Sequence, residues 1–146
     1  MSFRLLLVGP VEDDSEQGKS FFDQFSWPVE RARDCQEASA LLHDGLTRVV
    51  VCERTLPDGY WTAILEMATS RRDPPVLIVT FRLADERLWS EVLNLGGYDV
   101  LAKPFDRNEV ERTVNLAWQH WASRRELTMR TKRASQESED YLCSRA

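Results

Sequence analysis

The chain has 146 residues, 42% of them hydrophobic and 29% charged, with a formal charge of −5. That is the length of one domain with enough apolar content for a core, which excludes a disordered or fibrous protein. The acidic balance argues against a general nucleic-acid binder, and the short apolar runs exclude a membrane span.

The opening MSFRLLLVGP is too short in its apolar part for a secretory signal. Cys35, Cys52 and Cys143 are far apart and form no CxxC pair, a pattern suited to reduced thiols in a cytoplasmic protein. Neither His43 nor His120 has a second ligand at metal spacing.

In chain order, FRLLLV (3–8) reads as a first strand covered on both faces. Phe21, Phe22 and Phe25 then form a helical stripe, with Ser15 as its cap and Glu16 in its first turn. VERAR (29–33) alternates weakly and suits an edge strand. A second helical stripe, Ala38, Leu41 and Leu42, follows Cys35. RVVVCE (48–53) is a buried strand that ends on Glu53 and runs into the turn Pro57-Asp58-Gly59.

Ile64, Leu65 and Ala68 mark a third helix, and PVLIVT (75–80) the next strand. Leu88, Trp89, Val92 and Leu95 mark a fourth helix, stopped by Gly96-Gly97. Trp61 and Trp89 are expected to be packing residues. YDVLA (98–102) is the last strand. The last helix begins at Asp106, with Glu109 at capping-box spacing, and continues through Val110, Val114, Ala117 and Trp121.

Strand and helix thus alternate five times. Right-handed βαβ crossovers then give an α/β fold with a doubly wound, five-stranded parallel sheet and a long C-terminal helix. Residues 1–127 form the domain, and 128–146 are a polar helix end or a disordered tail. In such sheets chemistry gathers at the carboxyl ends of the strands. Glu53, Thr80 and Lys103 each close or follow a different strand there.

The acid before a Pro-Asp-Gly turn, the strand ending in threonine, and GGYDVLAKPF (96–105) together resemble a bacterial response-regulator receiver domain over roughly residues 3–122. The resemblance implies that Glu53 stands where the family carries its phosphoacceptor, normally an aspartate. It implies that Thr80 is the hydroxyl that contacts the phosphoryl group and that Lys103 is the lysine that pairs with both. Pro104 is then expected to follow a cis peptide bond.

Three departures shape the functional expectation. The family holds Mg²⁺ with two acids after the first strand, and those positions are Gly9 and Pro10 when counted from the strand. Counted back from the first helix they are Asp13 and Asp14, and the strand register is preferred here. Glu53 is longer than aspartate by one methylene, which displaces the carboxylate by about 1.5 Å and impairs in-line transfer. Either it reaches Lys103 or Thr80 and imitates the phosphorylated state, or it forms a plain ion pair with Lys103. The aromatic that often follows the hydroxyl's state is replaced by Val100, with Phe81 and Tyr98 nearby in sequence.

GKS (18–20) lacks the earlier glycine of a P-loop and sits in an acidic run. A flavodoxin-like flavin site would want a phosphate loop that GPVEDDSE does not supply. Cys52 reads as core. Arg124, Arg125, Arg130, Lys132 and Arg133 read as cations complementing a helix C-terminus rather than as a nucleic-acid or lipid patch. Trp118 and Trp121 share one helix face, where they are either core, with only one needed inside, or a candidate interaction surface; the receiver resemblance implies a homodimer through the last helix.

The expectation is therefore a stand-alone, degenerate receiver, not an enzyme and without a cofactor. It would act in the cytoplasm as a phosphorylation-independent protein–protein interaction module of two-component signalling or a phosphorelay. Its partner would be a sensor kinase or another signalling protein, not nucleic acid and not a membrane. Two alternatives stand beside it. One is an active phosphoacceptor receiver using Glu53 or Asp58, with Mg²⁺ on Asp13 and Asp14; the other is a small α/β protein that binds an anion at Lys103.

Overall fold

The computed structural model describes residues 4–10, 21–81 and 86–144. Strands β1 (Arg4–Val8), β2 (Val29–Ala32), β3 (Thr47–Glu53), β6 (Val76–Phe81) and β7 (Asp99–Ala102) form one sheet in the order β2-β1-β3-β6-β7. Every pairing in it is parallel. A small antiparallel hairpin, β4 (Thr55–Leu56) and β5 (Gly59–Tyr60), wraps the Pro57-Asp58 turn.

Helices α1 (Cys35–Leu42), α2 (Trp61–Thr69), α3 (Glu86–Leu95) and α4 (Arg107–Ser144) complete the fold. The central strands are buried on both faces, as crossover helices require, and Val49, Val50, Val51 and Cys52 are all fully enclosed. One face carries Leu6, Val8, Val50, Leu77 and Val79 against α1, α2 and α3. The other carries Leu5, Leu7, Val49, Val51 and Ile78 against Val110, Val114, Ala117 and Trp121 of α4.

The helix ends follow from local chemistry. Asp34 caps α1 by accepting from the Glu37 amide at 2.9 Å, and Asp106 caps α4 through the Glu109 amide at 3.0 Å. Gly96, at φ +111°, and Gly97 end α3, and the Gly97 amide donates to the Val92 carbonyl at 2.8 Å.

Four expectations change. The stripe Phe21, Phe22 and Phe25 is, in its described part, a single 3₁₀ turn over Phe21–Gln24. Pro28 follows too closely for a longer helix, because the residue before a proline is pushed out of helical geometry. Only Phe22 is fully buried, with Phe21 packed against Phe105 and Phe25 stacked on Trp27. Trp89 is half exposed rather than packed, and its indole N–H donates to Asp99. Leu95, expected on the same buried stripe, is also half exposed. Trp121 belongs to the core, 3% exposed and stacked on half-buried Trp118, so it offers no free surface. Ser15, Glu16 and the GKS stretch lie outside the described residues.

The end of the chain also gains definition. α4 continues as helix to Ser144, so residues from 128 onward extend the domain's last helix.

Candidate functional site

Parallel pairing sets the site. Glu53 at the end of β3 lies directly beside Thr80 in β6, and Thr80 lies beside Leu101 in β7. Lys103 follows β7, its amide bonded to the Phe81 carbonyl at 3.3 Å. The Lys103–Pro104 bond is cis, as expected. Glu53 continues the side of β3 that carries Val49 and Val51, because alternate residues share a face.

The three side chains converge on one atom. Oε2 of Glu53 accepts the Thr80 hydroxyl at 2.8 Å and lies 2.9 Å from the Lys103 ammonium. Lys103 Nζ also donates to the Pro10 carbonyl at 2.9 Å, tying the exit of β1 to those of β3 and β7. The pair is well shielded, with side-chain exposures of 7% for Lys103 and 15% for Glu53. Thr80 is fully buried. A carboxylate held this way is satisfied by charge-assisted bonds that offset much of its desolvation.

The exit of the first strand packs closely on Glu53 and Leu56. Gly9 adopts φ +85°, and a Cβ there would sit 2.6 Å from Leu56 Cδ2 and 3.0 Å from Glu53 Cβ. A side chain at this position would clash with the tip of Leu56, press on the Glu53 Cβ and strain the backbone. Gly9 thus lets the exit of β1 approach Glu53 and Leu56 closely.

These residues do not fit Mg²⁺. Octahedral oxygen coordination needs several free oxygens, yet Oε2 of Glu53 already serves a hydroxyl and an ammonium, and Gly9 and Pro10 bring no carboxylate. Among the described residues no cluster of three or more His, Cys, Asp or Glu side chains could hold a metal. Asp13 and Asp14 lie outside the described residues.

Asp58 stands elsewhere. Its carboxylate accepts from the amides of Cys35 at 2.9 Å and Gln36 at 3.3 Å, adding a second cap to the start of α1. The Cys35 amide is the main cause that holds the Asp58 carboxyl below its ordinary range. Burial, then contact with Asp58, pushes the Cys35 thiol up to about 11. Burial raises the Cys52 thiol further, which suits the core role expected of it.

Arg54 belongs to the site's rim, although nothing in the sequence singled it out. Its amide donates to the Thr80 carbonyl at 3.1 Å, and its carbonyl accepts from the Trp61 amide at 2.9 Å. Its guanidinium donates to the Tyr60 hydroxyl at 2.6 Å and lies 4.8 Å from the Phe81 ring centre. The signal available in sequence was a cation directly after a strand-end acid, with aromatics at 60 and 81. Phe81 is thus engaged with Arg54. Tyr98 lies at the far end of the sheet against His120, with ring centres 5.2 Å apart. Val100 is buried.

No family model matches the sequence, and no curated protein matches it. Solved structures do match. The signal receiver domain of an HD-domain-containing protein from Pseudomonas fluorescens Pf-5 superposes with a TM-score of 0.68 at 23% identity, covering 86% of this chain and 93% of that one. The chain has the receiver fold. A two-component response regulator from Clostridium difficile gives a TM-score of 0.67 at 19% identity, covering 81% and 97%. The beryllofluoride-activated NtrC4 receiver domain dimer gives 0.65 at 21%, covering 81% and 98%. In this receiver fold, Glu53, Thr80 and Lys103 occupy the carboxyl edge of the sheet beside the point where strand order reverses, between β1 and β3.

Proposed function

We propose that this receiver-type domain works in two-component-type signalling as a protein-binding module whose acidic pocket is held closed by its own glutamate, without phosphoryl transfer. The observation that carries the reading is the shared Oε2 of Glu53, which receives Thr80 and Lys103 together. A phosphorylated aspartate would present oxygens to the same hydroxyl and ammonium. Here one carboxylate supplies that contact permanently, and the module stays in one state. Gly9 supports the reading, because it brings no carboxylate to the pocket edge that could hold a metal.

An active phosphoacceptor at Asp58 is disfavoured, since that carboxylate is spent on the start of α1. Anion capture at Lys103 is disfavoured in the same way, its ammonium being shared between Glu53 and the Pro10 carbonyl. The partner is a protein, with a sensor kinase or another signalling protein as the first candidates.

Intact-mass measurement after incubation with acetyl phosphate and Mg²⁺ tests the reading. The native chain is expected to gain no phosphoryl group. An adduct on the native chain would overturn the proposal. An adduct on the Glu53→Asp variant alone would locate the block in the glutamate, and no adduct on either would extend it to the missing metal acids.

A further inference from the structure

The amino-terminal edge of the sheet, opposite Glu53, Thr80 and Lys103, holds a cavity of about 150 Å³. Its floor is the start of β6, where Pro74 and Pro75 lead into Val76. The second half of α2 closes one side with Leu65 and Thr69. Gly96 and Gly97, between α3 and β7, line another side without side chains. A Cβ on Gly96 would lie 4.0 Å from Leu65 Cδ1, so a larger residue there would narrow the space between them. Strand pairing fixes the frame, since the Tyr98 amide donates to the Leu77 carbonyl at 2.7 Å.

Two kinds of chemistry meet in this cavity. Half-buried Tyr98 and exposed His120 form an aromatic wall, with ring centres 5.2 Å apart and a 36° tilt. Arg124 supplies a cation. Its place in the sequence suggests a helix C-terminus, but α4 runs on to Ser144 and leaves Arg124 half-buried in mid-helix. Its guanidinium donates to the Pro74 carbonyl. Burial pulls that guanidinium below its ordinary range, and neighbouring Asp73 offsets only part of the effect. One such bond leaves a guanidinium with further N–H donors, in the fork geometry that suits a carboxylate.

Size and polarity narrow the ligand. A cavity of roughly 150 Å³ holds a single six-membered ring, which excludes a nucleotide or a flavin. An aliphatic acid would satisfy Arg124 and leave the aromatic wall without a partner. A neutral ring would cover that wall and shield Arg124 further without an anion to pair it. We propose that this cavity binds a small single-ring aromatic acid, its carboxylate forked on Arg124 and its ring against Tyr98 and His120. The site lies at the other end of the sheet from the closed acidic pocket, so its failure would leave the proposed function untouched.

Benzoate tests the site, with benzamide as its neutral isostere and acetate as its ringless counterpart. Each is titrated into the full chain while the amide resonances of Leu77, Gly96, Gly97 and Tyr98 are followed. Benzoate is expected to give saturable shifts at these amides with a Kd on the order of 1 mM, within reach of so few heavy atoms. Benzamide and acetate should each bind about tenfold more weakly, one lacking the charge-assisted fork and the other the ring contact. Arg124→Gln should weaken benzoate about tenfold. Thr69→Phe, at an exposed lining position, should fill the cavity and abolish the shifts. Dispersed amide spectra of both variants show at the same time that they remain folded. A native chain without saturable shifts at about ten times the expected Kd would overturn the proposal. So would benzamide binding as tightly as benzoate, or shifts gathered at Thr80 and Lys103, which would move the anion to the carboxyl edge.

Discussion

Glu53 ends a run of buried valines with a charge, and the cost of that charge is met by two neighbours from other strands. Lys103 is the larger contributor, because it neutralises the carboxylate in a shielded site. Lys103→Met should therefore leave an uncompensated acid and lower stability by roughly 2 to 3 kcal/mol, below the usual cost of breaking a buried pair because Glu53 keeps some solvent. The double variant Glu53→Leu with Lys103→Met should recover most of the loss, since apolar replacements carry no desolvation cost. Urea unfolding midpoints check both, and a double variant as weak as the single one would contradict the ion-pair account. Glu53, Thr80 and Lys103 were legible in the sequence because each sits at a strand end, where a polar residue interrupts an apolar run. Arg54 and the alternative role of Asp58 were not, because their partners at Tyr60, Phe81 and Cys35 are brought near only by the fold.

Among the elements, the loop after β3 and the start of α1 are joined through one carboxylate. Asp58 is held below its ordinary range chiefly by the Cys35 amide, so its ionised form is favoured by folding. A depressed folded value means that this contribution is full above the unfolded value of about 3.9 and is lost as pH falls through the folded one. Asp58→Ala should lower Tm at neutral pH, and the gap from the native protein should close as the solution is acidified below about pH 4. A gap independent of pH would remove the carboxylate from the explanation. The five sheet strands were readable to within a residue or two, because enclosed parallel strands are short unbroken apolar runs. The first helical stripe was not, since Pro28 limits a turn whose phenylalanines gave a convincing period. The extent of α4 was equally hidden: past Trp121 its residues favour helix individually but show no broad apolar face.

Across the whole molecule, the order β2-β1-β3-β6-β7 is one of the doubly wound arrangements that alternating strands and helices with right-handed crossovers allow. The doubly wound parallel sheet was legible in the sequence, though its strand order was not, and it brings the exits of β1, β3, β6 and β7 to one edge. What remained illegible was the contest at that edge between a metal-binding pocket and a closed one. Its outcome rests on where the Glu53 carboxylate lies relative to Thr80 and Lys103, which composition and periodicity do not report. The same fold packs α4 on the sheet through Val110, Val114, Ala117 and Trp121 and leaves Glu126–Glu137 exposed.

The most direct measurement is an NMR titration of the native chain with beryllofluoride and Mg²⁺, observing the amides of Glu53, Thr80 and Lys103. The closed pocket predicts that these resonances stay in place, because the Glu53 carboxylate already occupies the hydroxyl and the ammonium. Saturable shifts at all three residues would contradict it and show a pocket still able to accept a phosphoryl group.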